Sequence, residues 1–301
     1  MKRSVLVVGL VTLVLAAGAA AAEFGPWGAP VNAETLPGSS TELNTASNDG
    51  CPVQSPDGRS LYIASNRPGT LGGNDIWVAT RPNKHSGWGT PVNLGAPVNS
   101  AADDFCPLPR GGHKLFFVSA RDGGCGGPDI YRTKFRHGAW EQPLNLGCDI
   151  NSAGAEASPS LYRAGGHRIL YFSSAQAGGF APDTGPPDSD IYFSVDLGPA
   201  QLVPGLNTAA EDSRPNVRHD GREIVFDSTR PGTLGGPDIW TAMRTHATDA
   251  WSAPVHLDAP INSSATESRA SLSWDGVTMV FGSTRPGGEG SSDIYVSTRQ
   301  H

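Results

Sequence analysis

The chain is short of what a helical or nucleic-acid-binding protein requires. Charged residues make up only 17 % of the 301 positions, with 3 methionines and 4 cysteines. In their place stand 38 glycines and 25 prolines, together about a fifth of the chain, which excludes a helical bundle because helix interiors tolerate neither residue. An apolar share of 38 % with so little charge excludes a disordered chain as well. The composition points to an all-β protein with its core spread over many short elements.

Long apolar runs are also scarce. One exists, Val5 to Ala17, preceded by Lys2 and Arg3 and followed by Ala20-Ala21-Ala22, and residues 1–22 therefore read as a signal peptide. That run is too short to remain as a membrane span, and no second one follows. No cysteine lies near the expected cleavage point, which argues against a lipid anchor. The expectation is a periplasmic or secreted protein, monomeric and not inserted in a membrane. Losing Lys2 and Arg3 from the 22 basic residues leaves 20 against 29 acidic ones, a net charge of −9 that repels phosphate backbones. Nucleic acid is therefore a poor partner. The eight histidines show no metal-ligand spacing, and the glycine-rich loops are not followed by helices that could cradle a phosphate. Neither a cofactor nor a metal centre is expected.

What the sequence does contain is a fivefold repeat. The tripeptide [LIV]-Asn-[ST] recurs around Asn44, Asn99, Asn151, Asn207 and Asn262. Eight residues beyond each Asn comes Pro52, Pro107, Pro159, Pro215 or Ala270, and three before that position stands Asp49, Asp104, Glu156, Asp212 or Glu267. An apolar run then closes on Ser65, Ser119, Ser174, Ser228 or Ser283, two residues ahead of Arg67, Arg121, Gln176, Arg230 or Arg285. Each unit ends in Asp-Ile-aromatic, at Asp75, Asp129, Asp190, Asp238 and Asp293, which lie 54, 61, 48 and 55 residues apart. Agreement in register at so many positions is not chance.

Each unit reads as four strands. The proline-bearing stretch, strand A, turns at Asp57-Gly58, Asp220-Gly221 or Asp275-Gly276 into strand B, whose continuous apolarity (Leu61-Tyr62-Ile63, for example) implies burial on both faces. A glycine-rich loop leads to strand C at Asp-Ile-aromatic. Strand D, typified by Trp88 to Leu94, carries a proline and belongs at an outer edge. Four-stranded units buried on both sides at this period are propeller blades, and the count is five. The units centre on 44–94, 99–146, 151–202, 207–257 and 262–299, within one domain spanning 23–301. The last unit lacks its own strand D, whereas residues 25–33 carry that pattern (Trp27-Gly28-Ala29-Pro30-Val31-Asn32) with no unit before them. The N-terminal segment is therefore expected to complete the final blade.

This pattern of Pro, Asp-Gly turn, apolar run, Ser-x-Arg, glycine-rich loop and Asp-Ile-Tyr/Trp resembles the WD-repeat-like propeller repeats of TolB-type exported bacterial proteins, over essentially the whole mature chain. TolB has six blades and an extra N-terminal domain, so its specific role is not implied here. The resemblance implies an exported propeller that acts by binding, often to other envelope proteins.

Five carboxylates, Asp49, Asp104, Glu156, Asp212 and Glu267, are expected around the mouth of the central channel. Counting back from the hairpin turn sets Asp49 across from Arg67, Asp212 from Arg230 and Glu267 from Arg285, so the preferred reading is a set of repeat-encoded ion pairs that also includes Arg121. The alternative is a Ca²⁺ site, with Glu156 as its focus because Gln176 replaces the arginine there. Cys51 and Cys106 hold equivalent places in adjacent units, and the expected disulfides are Cys51–Cys106 and Cys125–Cys148, although spacing alone leaves connectivity open. Departures from the repeat mark the candidate binding surface: Arg214, Arg269, Gln176, and the enlarged loop of the third unit bearing Phe180 and Gly185-Pro186-Pro187. The functional expectation is a non-enzymatic binding module, with an envelope or extracellular protein, or a carbohydrate, bound at the channel mouth and no catalytic residue. The alternative is a glycoside hydrolase or lyase of the five-bladed type using channel carboxylates.

Overall fold

The computed structural model describes residues 24–180 and 188–301. Residues 1–23, which include the segment read as a signal peptide, and residues 181–187 of the third unit's long loop lie outside them. The strands form five sheets, all antiparallel, each built of four strands in sequence order from the inside outward. Blade 1 comprises Asp49–Gln54, Ser60–Ser65, Asp75–Thr80 and Val92–Asn93 as strands A to D. Blade 2 has Asp104–Arg110, Lys114–Ser119, Asp129–Arg136 and Leu144–Asn145, with the short strand Ala139–Trp140 added beside its strand C. Blade 3 has Glu156–Ala164, His167–Ser174, Asp190–Val195 and Gln201–Leu202, and blade 4 has Asp212–Val217, Glu223–Ser228, Asp238–Met243 and Val255–His256. Blade 5 takes Glu267–Leu272, Thr278–Ser283 and Asp293–Thr298 from the end of the chain and Val31–Asn32 from its beginning. The expected five-bladed propeller, closed by its N-terminal strand, is what forms.

The closure reproduces the chemistry of the other outer edges. Val31 pairs with Val296 and Asn32 with Tyr295, while the amides of Gly25 and Gly28 donate to the carbonyls of Gln300 and Thr298. Trp27 is half-buried under the Arg299 guanidinium, 4.2 Å from its ring centroid, as Arg81 covers Trp88 at 3.8 Å and Arg244 covers Trp251 at 3.9 Å. In all three blades the arginine Nε donates to the glycine carbonyl of the A–B turn, Gly276, Gly58 or Gly221. The outer strands are shorter than expected, two paired residues rather than seven. In blades 1, 4 and 5 the tryptophan ahead of the outer strand packs under its arginine instead of pairing, and proline cannot extend the ladder.

The core lies between the blades. Five apolar clusters separate neighbouring sheets; one joins Leu61, Ile63 and Trp77 of blade 1 to Val280, Ile294 and Val296 of blade 5. The repeated Asn locks each interface. Asn99 accepts from the Ile76 amide at 2.9 Å and donates to the Ile76 carbonyl at 3.0 Å, clamping the preceding blade's strand C at two points. Asn151 holds Ile130, Asn207 holds Ile191, Asn262 holds Ile239, and Asn44 holds Ile294 across the junction of the chain's two ends.

Both expected disulfides are present, with Cα–Cα distances of 4.9 Å for Cys51–Cys106 and 5.7 Å for Cys125–Cys148. This is consistent with an oxidising compartment outside the cytoplasm. Among the described residues no helix is long and apolar enough to cross a membrane.

Candidate functional site

The repeat carboxylates sit at the first residue of every strand A and have no access to solvent: Asp49, Asp104, Asp212 and Glu267 are 0 % exposed and Glu156 is 1 %. Each serves its own unit. Asp49 Oδ2 accepts from the amide and hydroxyl of Thr45, and its Oδ1 accepts from Arg67 Nη2 at 2.5 Å. Arg121 reaches Asp104 at 2.7 Å, Arg285 reaches Glu267 at 3.1 Å, and Arg230 bonds Asp212. The arginines also donate to backbone carbonyls of the [LIV]-Asn-[ST] segment, for example Arg67 Nη2 to Leu43. The register differs from the simple count: Asp49 lies opposite Ser65, not Arg67, which bends back over two residues. A bulge in strand A between Gly50 and Val53, repeated in all five blades, accounts for one of those two places: without it Asp49 would face Asn66.

Glu156 is the exception foreseen from Gln176. Among the described residues no arginine bonds it, and it keeps the hydroxyls of Ser152 (2.5 Å) and Ser174 (2.7 Å), whose counterparts Ser263 and Ser283 bond Glu267 beside Arg285. Burial pushes the Glu156 carboxyl above the usual range, opposed by its hydrogen bonds to Ser152 and Ser174. Gln176 is half-buried near the start of the long loop, and Phe180 is exposed, its amide donating to Asp190 Oδ2 at 2.6 Å. The remainder of that loop, including Gly185-Pro186-Pro187, falls outside the described residues. Among the described residues no group of three or more metal-ligating side chains comes together.

The bulge has a consequence that sequence reasoning did not reach. Its central residue, Cys51, Cys106, Ser158, Arg214 or Arg269, adopts φ between 46° and 56°, a left-handed conformation uncommon for such side chains. These five residues, followed by Pro52, Pro107, Pro159, Pro215 or Ala270, meet at the ring's centre around a cavity of only ≈20 Å³. That is room for about one water molecule. The Cys51–Cys106 disulfide fills one side, and Ser158 bonds Cys106 Sγ at 3.3 Å. The other side is charged: Arg214 Nη1 donates to Asp227 Oδ2 at 3.0 Å, and the Arg269 amide donates to Asp227 Oδ1 at 2.8 Å. Backbone strain of this kind gathers at functional sites.

Asp227 was also missed. It is a fully buried acid outside the repeat, placed on strand B of blade 4 where the other blades have Ala64, Val118, Ser173 and Gly282. A carboxylate breaking the apolar run Ile224-Val225-Phe226 was the available signal. Burial pushes its carboxyl up to about 6, against the pull of Arg214. That value lies above an aspartate's ordinary range, so ionisation of Asp227 opposes folding. The penalty is complete above about pH 6 and is relieved as pH falls toward 4. Asn at this position cannot titrate. Urea unfolding should therefore show the parent gaining about 2 kcal/mol on Asp227→Asn between pH 7 and pH 4. A difference that stays flat over that range would mean Asp227 is not held as described.

No family model and no curated protein sequence matches the chain. Solved structures do. A thermostable family-43 glycoside hydrolase superimposes with a TM-score of 0.55 at 14 % identity, covering 87 % of this chain and 91 % of its own. An α-L-arabinofuranosidase from Lactobacillus brevis gives 0.56 at 12 % identity, covering 89 % and 94 %. TolB from Acinetobacter baumannii gives 0.47 at 15 % identity, covering 83 % of this chain and 54 % of its own, a likeness too loose to argue from. The two hydrolase superpositions show a shared fold.

The comparisons correct the expectation of a non-enzymatic binding module without catalysis. Glycoside hydrolases superimpose on this chain over nearly their full length, against that expectation. The repeated acids, bonded within their own units, serve architecture, whereas Asp227 beside the axis lies outside the repeat.

Proposed function

We propose that this chain is an exported enzyme acting on glycosidic bonds, a five-bladed hydrolase that draws its acid chemistry from residues departing from the repeat. The observation that carries the reading is the superposition, over nine-tenths or so of both molecules, on an arabinofuranosidase and a family-43 hydrolase. Glycoside hydrolysis requires one carboxyl that holds a proton near working pH and a second that is ionised. Burial pushes several carboxyls upward, those of Glu34, Glu156, Asp190, Asp227 and Asp293; Glu156 and Asp227, in adjacent blades near the axis, are the pair we assign to the first role. Arg214 and Arg269 line the central cavity and hold Asp227, the first through its guanidinium and the second through its backbone amide. Export through the segment 1–22 accords with the two disulfides. The repeats themselves we read as TolB-type, with the chemistry set by the positions that differ.

The test is release of reducing sugar from arabinan, xylan and arabinoxylan, and of aryl alcohol from an α-L-arabinofuranoside, by the purified protein. Turnover is expected, falling at least about 100-fold in Glu156→Gln or Asp227→Asn, as loss of a general acid does. No release from any of these substrates would contradict the reading.

A further inference from the structure

A wide cleft lies on the face of the A–B turns, opposite the disulfides. It sits between blades 2 and 3, encloses ≈460 Å³ and falls in the size range of ligand sites. Its walls carry Arg110, Lys114, Arg132, Lys134, Arg163 and Arg168, with no carboxylate among its lining residues, and its apolar floor includes Phe116 and Leu161. In a chain of net charge −7 this concentration is anomalous.

Three observations mark it as a departure from the repeat. First, the A–B turns of blades 1, 4 and 5 carry Asp57, Asp220 and Asp275, whereas blades 2 and 3 replace that turn with Arg110-Gly111-Gly112-His113-Lys114 and Arg163-Ala164-Gly165-Gly166-His167-Arg168. Second, strand C of blade 2 adds Arg132 and Lys134 where blade 1 has Val78 and Thr80. Third, the cations stand against one another: Arg110 lies directly opposite Lys114, Lys114 opposite Lys134, and Arg163 opposite Arg168. Like charges in facing positions destabilise a sheet. Burial and the nearby Arg163 push the Arg110 guanidinium down to about 10, so it lacks the countercharge that a finished structural site would supply. Among the described residues, Arg168 alone of these six cations has a carboxylate within 4 Å, Asp196 at 3.7 Å.

We propose that this cleft binds an oligosaccharide bearing carboxylate groups, a uronate-containing stretch of the polymer on which the chain acts. The assignment rests on the glycan reading above and names its substrate class. Fixed cations on two blades would each meet a carboxylate, with the apolar floor under the sugar rings. A long phosphate polymer is disfavoured because the molecule around the cleft is negative.

The experiment is calorimetric titration of the full mature protein with trigalacturonate, with neutral xylotriose and with a hexadeoxynucleotide, at 25 and 300 mM NaCl. Trigalacturonate alone should bind, at least 10-fold more weakly at the higher salt. Lys114→Glu should weaken it at least 10-fold while raising the melting temperature by about 1–3 °C, because it removes two facing repulsions; lost affinity then cannot be ascribed to misfolding. Arg163→Glu in the other wall should weaken binding similarly. Equal binding of xylotriose, insensitive to salt, would overturn the acidic-glycan assignment and leave glycan processing intact. Oligonucleotide binding as tight as that of trigalacturonate would overturn it too. Absence of trigalacturonate binding in a protein that still releases sugar from arabinoxylan would reject only this site, and failure of both would reject the glycan reading as well.

Discussion

Deletion of residues 24–33 is expected to lower the free energy of unfolding by about 5 kcal/mol and the melting temperature by about 10–20 °C. The segment supplies the outer strand of blade 5, through the Val31–Val296 and Asn32–Tyr295 pairs and the amides of Gly25 and Gly28. It also covers the Arg299 guanidinium with Phe24 and Trp27, 3.9 and 4.2 Å from the ring centroids. Arg299 in turn makes a two-pronged ion pair with Glu223 of blade 4, at 2.8 and 2.6 Å, so the clasp reaches into a second interface. Loss of the aromatic area contributes about 2–3 kcal/mol and each edge hydrogen bond about 1 kcal/mol. Thermal unfolding of the shortened protein decides the matter, and an unchanged midpoint would show that the N-terminal strand is ornamental.

The second large effect is expected at the blade clamps. Asn99→Ala should cost about 3–4 kcal/mol, because the buried Ile76 amide and carbonyl both lose their side-chain partner. Asn99 also donates to Asn93 at 2.7 Å, tying the outer strand of blade 1 to the same point. Equilibrium urea denaturation is the measurement, and a change below 1 kcal/mol would mean the clamp is replaceable by water. Asn44→Ala should behave in the same way although its partner Ile294 is 250 residues away in sequence, since the ring makes the two junctions equivalent.

The fold was legible because a repeat multiplies weak signals. A single Asp-Ile-Tyr or a single Ser-x-Arg carries little information, but five in register fixed the blade count, and the misplaced Trp27 revealed the closure. The Cys51–Cys106 pair followed from equivalent positions in adjacent blades, and Cys125–Cys148 from the rim of blade 2, where both lie. The bulge in strand A was hidden, because a residue at φ near 50° leaves no mark in sequence when it is Cys, Ser or Arg and not Gly. That one extra residue shifts the partner of Asp49 by one place, to Ser65, and gathers Arg214 and Arg269 at the axis. The role of the recurrent Asn was hidden as well, since its partner is the backbone of another blade and backbone has no sequence.

The candidate sites were harder still. Attention to repeated acids drew the eye to side chains that the repeat consumes internally, buried beneath Thr45, Ser100 and Arg67. Asp227 and the basic cleft are each visible as a substitution against the repeat, but their meaning depends on proximity. Arg110, Lys134 and Arg163 are scattered over 54 residues and converge only because strands C and A of neighbouring turns meet at one cleft. A charge excess that composition averages away, in a chain of net −7, is local and therefore invisible to it.

The account holds that residues shared by the blades build the ring and residues that depart from the pattern serve the ligand. Asn99→Ala and Lys114→Glu, compared in melting temperature and in affinity for trigalacturonate, test this most directly. Asn99→Ala should melt about 6–12 °C lower with its affinity within twofold of the parent, whereas Lys114→Glu should melt no lower and bind at least 10-fold more weakly. Both properties falling together in both variants, or the reverse assignment, would contradict it.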